Sequence, residues 1–251
     1  MSALHWGESE TRRGAVRREF VCREESARMV PGVLWEPEQP KPDAPLIAFG
    51  HGASGDRHQA PIPYLAKRLV REHGGRALAI DGPVHGERRV GDGGRDAFRQ
   101  EWKRPATVDD MIDDWHRVLD AVLALPDGPR GPVGYWGLSM GTIYGAPLVA
   151  ADTRIEAAVL GLMGLTGPSS GYRERIAADA ARIRVPVLFL LQLEDELFER
   201  EACLALFDAL ATDDKRIHAH PGAHAAVPAE DIDGSLDFLV RRLRSAAPGG
   251  R

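Results

Sequence analysis

The sequence predicts an α/β fold, a mostly parallel twisted sheet of about eight strands with helices on both faces. From Pro45 onward short apolar runs alternate with longer segments of helical period, a pattern that produces parallel strands joined by crossover helices. The length of 251 residues, with 43% apolar and 27% charged positions, suits one such domain with a full core.

The elements follow in order. Residues 1–14 are polar and read as a flexible tail ahead of a single domain over 15–246. Residues 16–22 and 28–35 read as two short strands, the second interrupted by Pro31-Gly32, and form an antiparallel hairpin. Further strands are predicted at 45–50, 76–80, 132–136, 156–162, 185–191 and 215–219. The clearest helix runs from Val108 to Leu125. Met111, Ile112, Trp115, Val118, Leu119 and Val122 recur there at spacings of three and four, and Asp109, Asp110, Asp113 and Asp114 favour its N-terminal half. A last helix over 231–244 sets Ile232, Leu236, Leu239, Val240 and Leu243 on one face and gathers arginines at its C-terminal end. Residues 84–107 read as the longest loop, and only one short helix fits between 172 and 183. Residues 247–251 read as a frayed tail.

Composition excludes several classes. The formal charge of -5 comes from interleaved acidic and basic residues, so no nucleic-acid partner is expected. Arg12, Arg13, Arg17 and Arg18 are followed by Glu19, Glu24 and Glu25 and read as a solvated edge. Two cysteines, Cys22 and Cys203, sit in apolar contexts without a paired spacing and read as buried thiols. No segment approaches a membrane span, and the N-terminus lacks an apolar leader, so a cytoplasmic protein without a membrane partner is expected. Phosphate-binding glycine motifs are absent, and no cofactor is expected.

The chemistry lies in Gly137-Leu138-Ser139-Met140-Gly141, a G-x-S-x-G sequence between the strand at 132–136 and an apolar helical segment. In that context the glycines permit a sharp turn that exposes the serine hydroxyl, and the following helix directs its N-terminus at a developing oxyanion. A serine needs a base, and the base needs an orienting carboxylate. After the strand at 185–191 come Glu194, Asp195 and Glu196, at the strand end where sites in parallel sheets form. After the strand at 215–219 come His220, Pro221, Gly222, Ala223 and His224, a turn able to fold a histidine back over the strand ends. His218 and His220 read as structural or exposed.

This order and context resemble the α/β-hydrolase superfamily, and within it the capless, dienelactone-hydrolase-like serine esterases; the likeness spans 45–243. The resemblance implies Ser139 as nucleophile, His224 as base through its Gly-x-His turn, and Asp195 as the acid, followed by Leu197 and Phe198. Gln192 stands where the family usually has Gly. His51-Gly52-Ala53-Ser54-Gly55 is similar to the family's H-G-x loop, which implies the Ala53 and Met140 amides as the oxyanion donors and His51 as a loop brace. Residues 81–88 (DGPVHGER) resemble a further family loop, with Arg88 where a small hydroxyl residue is common, and read as a turn. His51, Asp81, His85 and Glu87 lack the spacing of a metal site, and no metal is expected.

The function so implied is hydrolysis of an ester-type bond in a small-molecule substrate, a carboxylic ester, thioester or lactone, through an acyl-enzyme on Ser139. The alternative is a small-molecule-binding protein of the same fold without turnover. Phe98 and Trp102 fit either a substrate wall or packing. A homo-oligomer is compatible with the sequence.

Overall fold

The computed structural model describes residues 3–24 and 28–246. Its chain gathers into two compact units, Met1–Val133 and Gly134–Arg251.

The first unit holds β1 (Ala3–Arg12), β2 (Ala15–Arg23), β3 (Val30–Pro37), β4 (Leu46–Gly50), α1 (Ile62–His73), β5 (Arg76–Ile80), α2 (Gly94–Glu101) and α3 (Thr107–Leu123). Its strands run in the order β1-β2-β3-β5-β4. The first three are antiparallel neighbours, β3 pairs antiparallel with β5, and β4 pairs parallel with β5. Every residue of β4 and β5 is buried, as expected of apolar runs covered on both faces, and the one charged residue among them, Arg76, is bonded to Glu36 and to the Asp127 carbonyl. In α3 the predicted apolar stripe is the buried face, with Trp115, Val118, Leu119 and Val122 fully enclosed.

The second unit contains β6 (Val133–Gly137), α4 (Met140–Ala151), β7 (Ile155–Gly161), α5 (Arg173–Ala180), β8 (Val187–Gln192), α6 (Arg200–Ala209), β9 (Lys215–His220) and α7 (Ala229–Ala246). Its strand order is β6-β7-β8-β9, with β8 parallel to both β7 and β9. Helix α4 is apolar around its circumference and buried from Met140 to Val149, the behaviour of a helix enclosed on all sides. Parallel β8 and β9 end together at Gln192 and His220, so the loops that follow them emerge side by side.

Three expectations change. The described strands number nine rather than about eight, because most of the segment expected as a flexible tail over 1–14 is β1. Its residues are almost all exposed, so it carries no apolar face to announce it; it is held by its ladder to β2, an edge-on contact of Trp6 with Phe20, and Arg18 over the Trp6 ring. The expected loop 84–107 contains α2. Within it Phe98 lies edge-on to His85 and tilted against Trp102, with ring centroids 5.5 and 5.7 Å apart. Of the arginines expected as a solvated edge, Arg12 and Arg13 are exposed, whereas Arg17 and Arg18 are half-buried and pair with Glu10 and Glu36. The expected tail at 247–251 lies outside the described residues. Both cysteines are buried, and among the described residues no helix is long and apolar enough to cross a membrane.

Candidate active site

In the second unit, β6 delivers the chain into a strained turn. Ser139 has φ 56° and ψ -119°, a backbone region that a side-chain-bearing residue occupies only when its surroundings enforce it. Several contacts enforce it here. The Ser139 amide donates to the Gly161 carbonyl at 3.0 Å, and the Thr142 hydroxyl lies 2.8 Å from the Gly137 carbonyl and 2.7 Å from that of Gly161 while accepting the Gly161 amide at 2.8 Å. The Tyr135 hydroxyl donates to the Gly141 carbonyl at 2.6 Å. A Cβ on Gly137 would sit 2.8 Å from both the Gly141 carbonyl oxygen and the Tyr135 hydroxyl, so only glycine allows the turn to close. Met140 is the first residue of α4, and its amide is one of the leading helical donors that have no intrahelical acceptor.

The loops after β8 and β9 bring two side chains to this serine. His224 Nε2 is 2.9 Å from Ser139 Oγ, and Nδ1 is 2.7 Å from Asp195 Oδ2. Because an ionised carboxylate only accepts, the ring proton sits on Nδ1 and leaves Nε2 free to take a proton from the hydroxyl. Asp195 is aimed by its own backbone: its Oδ1 accepts the amides of Leu197 at 2.8 Å and Phe198 at 3.0 Å. Its side chain is 1% exposed and that of His224 13%, so the pair lies in a partly dehydrated setting where such bonds strengthen. Phe198 covers the imidazole, with ring centroids 5.9 Å apart.

The other candidates are placed as clearly. Glu196 accepts the His224 backbone amide, while Glu194 contributes a main-chain bond to Gly222. His218 and His220 both face Asp231, at 2.9 and 2.7 Å. Gln192 reaches across to the histidine loop, with Nε2 2.8 Å from the Ala226 carbonyl. Sequence reasoning missed the parts played by Thr142, Gln192 and Glu196; the one signal was a carboxamide closing the otherwise apolar β8.

In the first unit, the loop after β4 is held one peptide at a time. The Gly52 amide donates to Gln59 Oε1 at 2.7 Å, and His51 Nδ1 lies 2.9 Å from the Gly52 carbonyl. His85 Nε2 lies 3.1 Å from the Ala53 carbonyl. His51 Nε2 accepts the Gly82 amide at 2.8 Å, which requires its proton on Nδ1. In a trans peptide the C=O and N–H point opposite ways, so the bond from His51 to the Gly52 carbonyl also sets the direction of the Ala53 N–H. Burial pushes the His51 pKa down to about 4, opposed by its bond to Gly52, so at neutral pH this ring is an uncharged brace. Asp81 accepts from the Arg57 guanidinium and amide and from the Glu87 amide, which folds the 81–88 loop around it. Burial raises the Asp81 carboxyl above its ordinary range, with Arg57 pulling the other way. Among the described residues no group of three or more His, Cys, Asp or Glu side chains is arranged to hold a metal ion.

Comparison with solved structures supplies the family. A PEG-bound cold-adapted esterase from an Arctic intertidal metagenomic library is 40% identical, with a TM-score of 0.85 over 95% of this chain and 99% of that one. The chain belongs to the esterases of the α/β-hydrolase superfamily. An acetyl xylan esterase from Paenibacillus sp. R4 shares the fold at 18% identity, with a TM-score of 0.73 over 96% of this chain and 89% of that chain. The acylaminoacyl peptidase of Pyrococcus horikoshii does so at 16% identity and a TM-score of 0.69, covering 94% of this chain and 43% of the peptidase. No protein-family model matches the sequence, and no curated protein does. As an esterase the chain is a carboxylesterase-like hydrolase acting on a small molecule.

Proposed function

We propose that Ser139 is the nucleophile of this esterase, His224 its general base and Asp195 the carboxylate that orients the base. The observation that carries the reading is the imidazole of His224 bridging Asp195 and the Ser139 hydroxyl at 2.7 and 2.9 Å. Ser139 attacks the ester carbonyl as Nε2 takes its proton, and the tetrahedral intermediate collapses when His224 returns that proton to the leaving alcohol. Water then cleaves the acyl-enzyme by the same route. Asp195 stabilises the imidazolium formed in each half-reaction.

The oxyanion donors in this reading are the amides of Met140 and Ala53. Met140 is supported by its place at the start of α4, and Ala53 by the bonds of His51 and His85 that hold the peptide units on either side of it. Each such donor is worth roughly 3 kcal/mol of transition-state stabilisation. The substrate is a small carboxylic ester, with thioester and lactone open to the same chemistry. The capless, dienelactone-hydrolase-like architecture is our reading of the sequence, supported by the chain between β7 and β8, where α5 and one short 3-10 turn are the only helices.

Labelling with a fluorophosphonate probe tests the assignment. The native chain is expected to label and Ser139→Ala to lose both labelling and hydrolysis of short acyl esters. Full turnover by Ser139→Ala would remove Ser139 from the mechanism, and an unlabelled native chain would point to a binding protein.

A further inference from the structure

The general base is held at its backbone as well as at its ring. Gln192, the last residue of β8, is 2% exposed; its Nε2 donates to the Ala226 carbonyl at 2.8 Å and lies 3.4 Å from that of Ala223. From the loop beyond, Glu196 Oε2 accepts the His224 amide at 2.8 Å. The Ala223 carbonyl and the His224 amide are the two ends of a single peptide unit, and that unit is planar and rigid. Contacts at both ends therefore set its orientation, and with it the point from which the imidazole is launched. Main-chain bonds hold the residues before it: the Leu193 amide donates to the His220 carbonyl at 2.7 Å and the Glu194 amide to that of Gly222 at 3.2 Å. Gly222 has φ +128°, and a Cβ there would come within 3.1 Å of Gln192 Nε2, so glycine gives the carboxamide its approach.

Asp195 alone cannot do this work. A bond to Nδ1 fixes the rotation and tautomer of a ring, but it leaves the main chain of the loop over 221–228 free to shift. Hydrogen bonds to Ser139 weaken steeply as the ring moves off line, and displacement of a reacting group by about 1 Å costs on the order of a hundredfold in rate.

We propose that Gln192 and Glu196 are positioning residues for the general base, gripping the Ala223–His224 peptide unit from opposite ends while the neighbouring Asp195 grips the ring. The proposal rests on the assignment of Ser139, His224 and Asp195 above. It gives a role to Gln192, which departs from the glycine of the family pattern that the sequence resembles, and it divides two consecutive carboxylates between one histidine's side chain and its backbone.

The test compares Glu196→Ala, Glu196→Gln and Gln192→Met with the native chain and with Ser139→Ala, using a short acyl ester and the downfield proton resonance of the His224 Nδ1–H shared with Asp195. Glu196→Ala and Gln192→Met should each lower kcat about tenfold, the equivalent of one hydrogen bond, with KM unchanged and the downfield resonance broadened or shifted. Glu196→Gln retains an acceptor for the amide and should keep native kcat and the native resonance. If Ser139→Ala still turns over ester, the assignment of the triad fails by itself. If Ser139→Ala is inactive while Glu196→Ala and Gln192→Met keep native kcat and resonance, the positioning role is overturned. A Glu196→Gln variant as slow as Glu196→Ala would overturn it for Glu196, because charge and not the bond would then be responsible.

Discussion

His51 and His224 occupy comparable places in the two units, each in a loop beyond a strand, and each makes one bond through either ring nitrogen. They share a tautomer: the proton is on Nδ1 and Nε2 accepts. What differs is the partner. His51 Nδ1 faces a peptide carbonyl and Nε2 takes an amide hydrogen that is never released, whereas His224 Nδ1 faces a carboxylate and Nε2 takes a hydroxyl hydrogen that can leave. A carbonyl dipole does little for an imidazolium, and a full negative charge does much. The same side chain in the same tautomer is therefore a brace in one loop and, in the proposed mechanism, a base in the other. Replacing Asp195 by asparagine makes the partner of His224 neutral, like that of His51, and should lower kcat about 10³- to 10⁴-fold while the thermal midpoint stays near native. Activity within tenfold of native in Asp195→Asn would mean that the contrast between the two histidines does not arise from their partners.

The second consequence concerns stability. The folded pKa of His51, about 4, lies below the ordinary value of 6.5. Between those values the unfolded chain binds a proton that the folded chain refuses, so unfolding becomes easier as pH falls through this window. At pH above about 6.5 the ring is neutral in both states and the penalty is absent; by pH 4 it amounts to about 3 kcal/mol. Urea unfolding of the native chain and of His51→Asn at pH 7, 6, 5 and 4 isolates the contribution of this ring. The difference in unfolding free energy between the two proteins should narrow as pH falls, and a constant difference would show that His51 does not resist protonation.

Legibility followed burial and chemistry. Strands β4, β5 and β8 announce themselves because each is a short, mostly apolar run that is buried throughout, and α3 because its buried stripe has helical spacing. Strand β1 has no such face: its stability is a ladder of backbone bonds plus one aromatic contact, neither of which leaves a periodic trace. At the site, Ser139 and His224 stand out because each has a reactive group in a glycine-bearing turn, and Asp195 because it lies in a run of three carboxylates just beyond β8; the geometry brings all three together. Gln192, Glu196 and Thr142 act on backbone atoms. Such partners depend on which loops emerge side by side, and that is a property of β8 and β9 as neighbours rather than of any local string.

The contrast between chemistry and bracing extends to the turn around the nucleophile, where the smallest effect is expected. The Tyr135 hydroxyl is fully buried and donates to the Gly141 carbonyl, 2.6 Å away. Burial drives its pKa far upward, so it remains a neutral donor throughout the working range. Like His51, it holds backbone and exchanges no proton. Tyr135→Phe leaves the Gly141 carbonyl without that donor in a buried setting, and the loss should be about 1 to 2 kcal/mol of unfolding free energy. The Ser139 turn keeps its bonds from Thr142 and from the Gly161 carbonyl, so kcat should remain within about twofold of native, a change under half a kcal/mol in barrier. Parallel measurement of denaturant midpoint and ester turnover separates the two quantities. A fall in kcat well beyond the fall in stability would show that the tyrosine sets the attack geometry of Ser139 and does not merely support the backbone behind it.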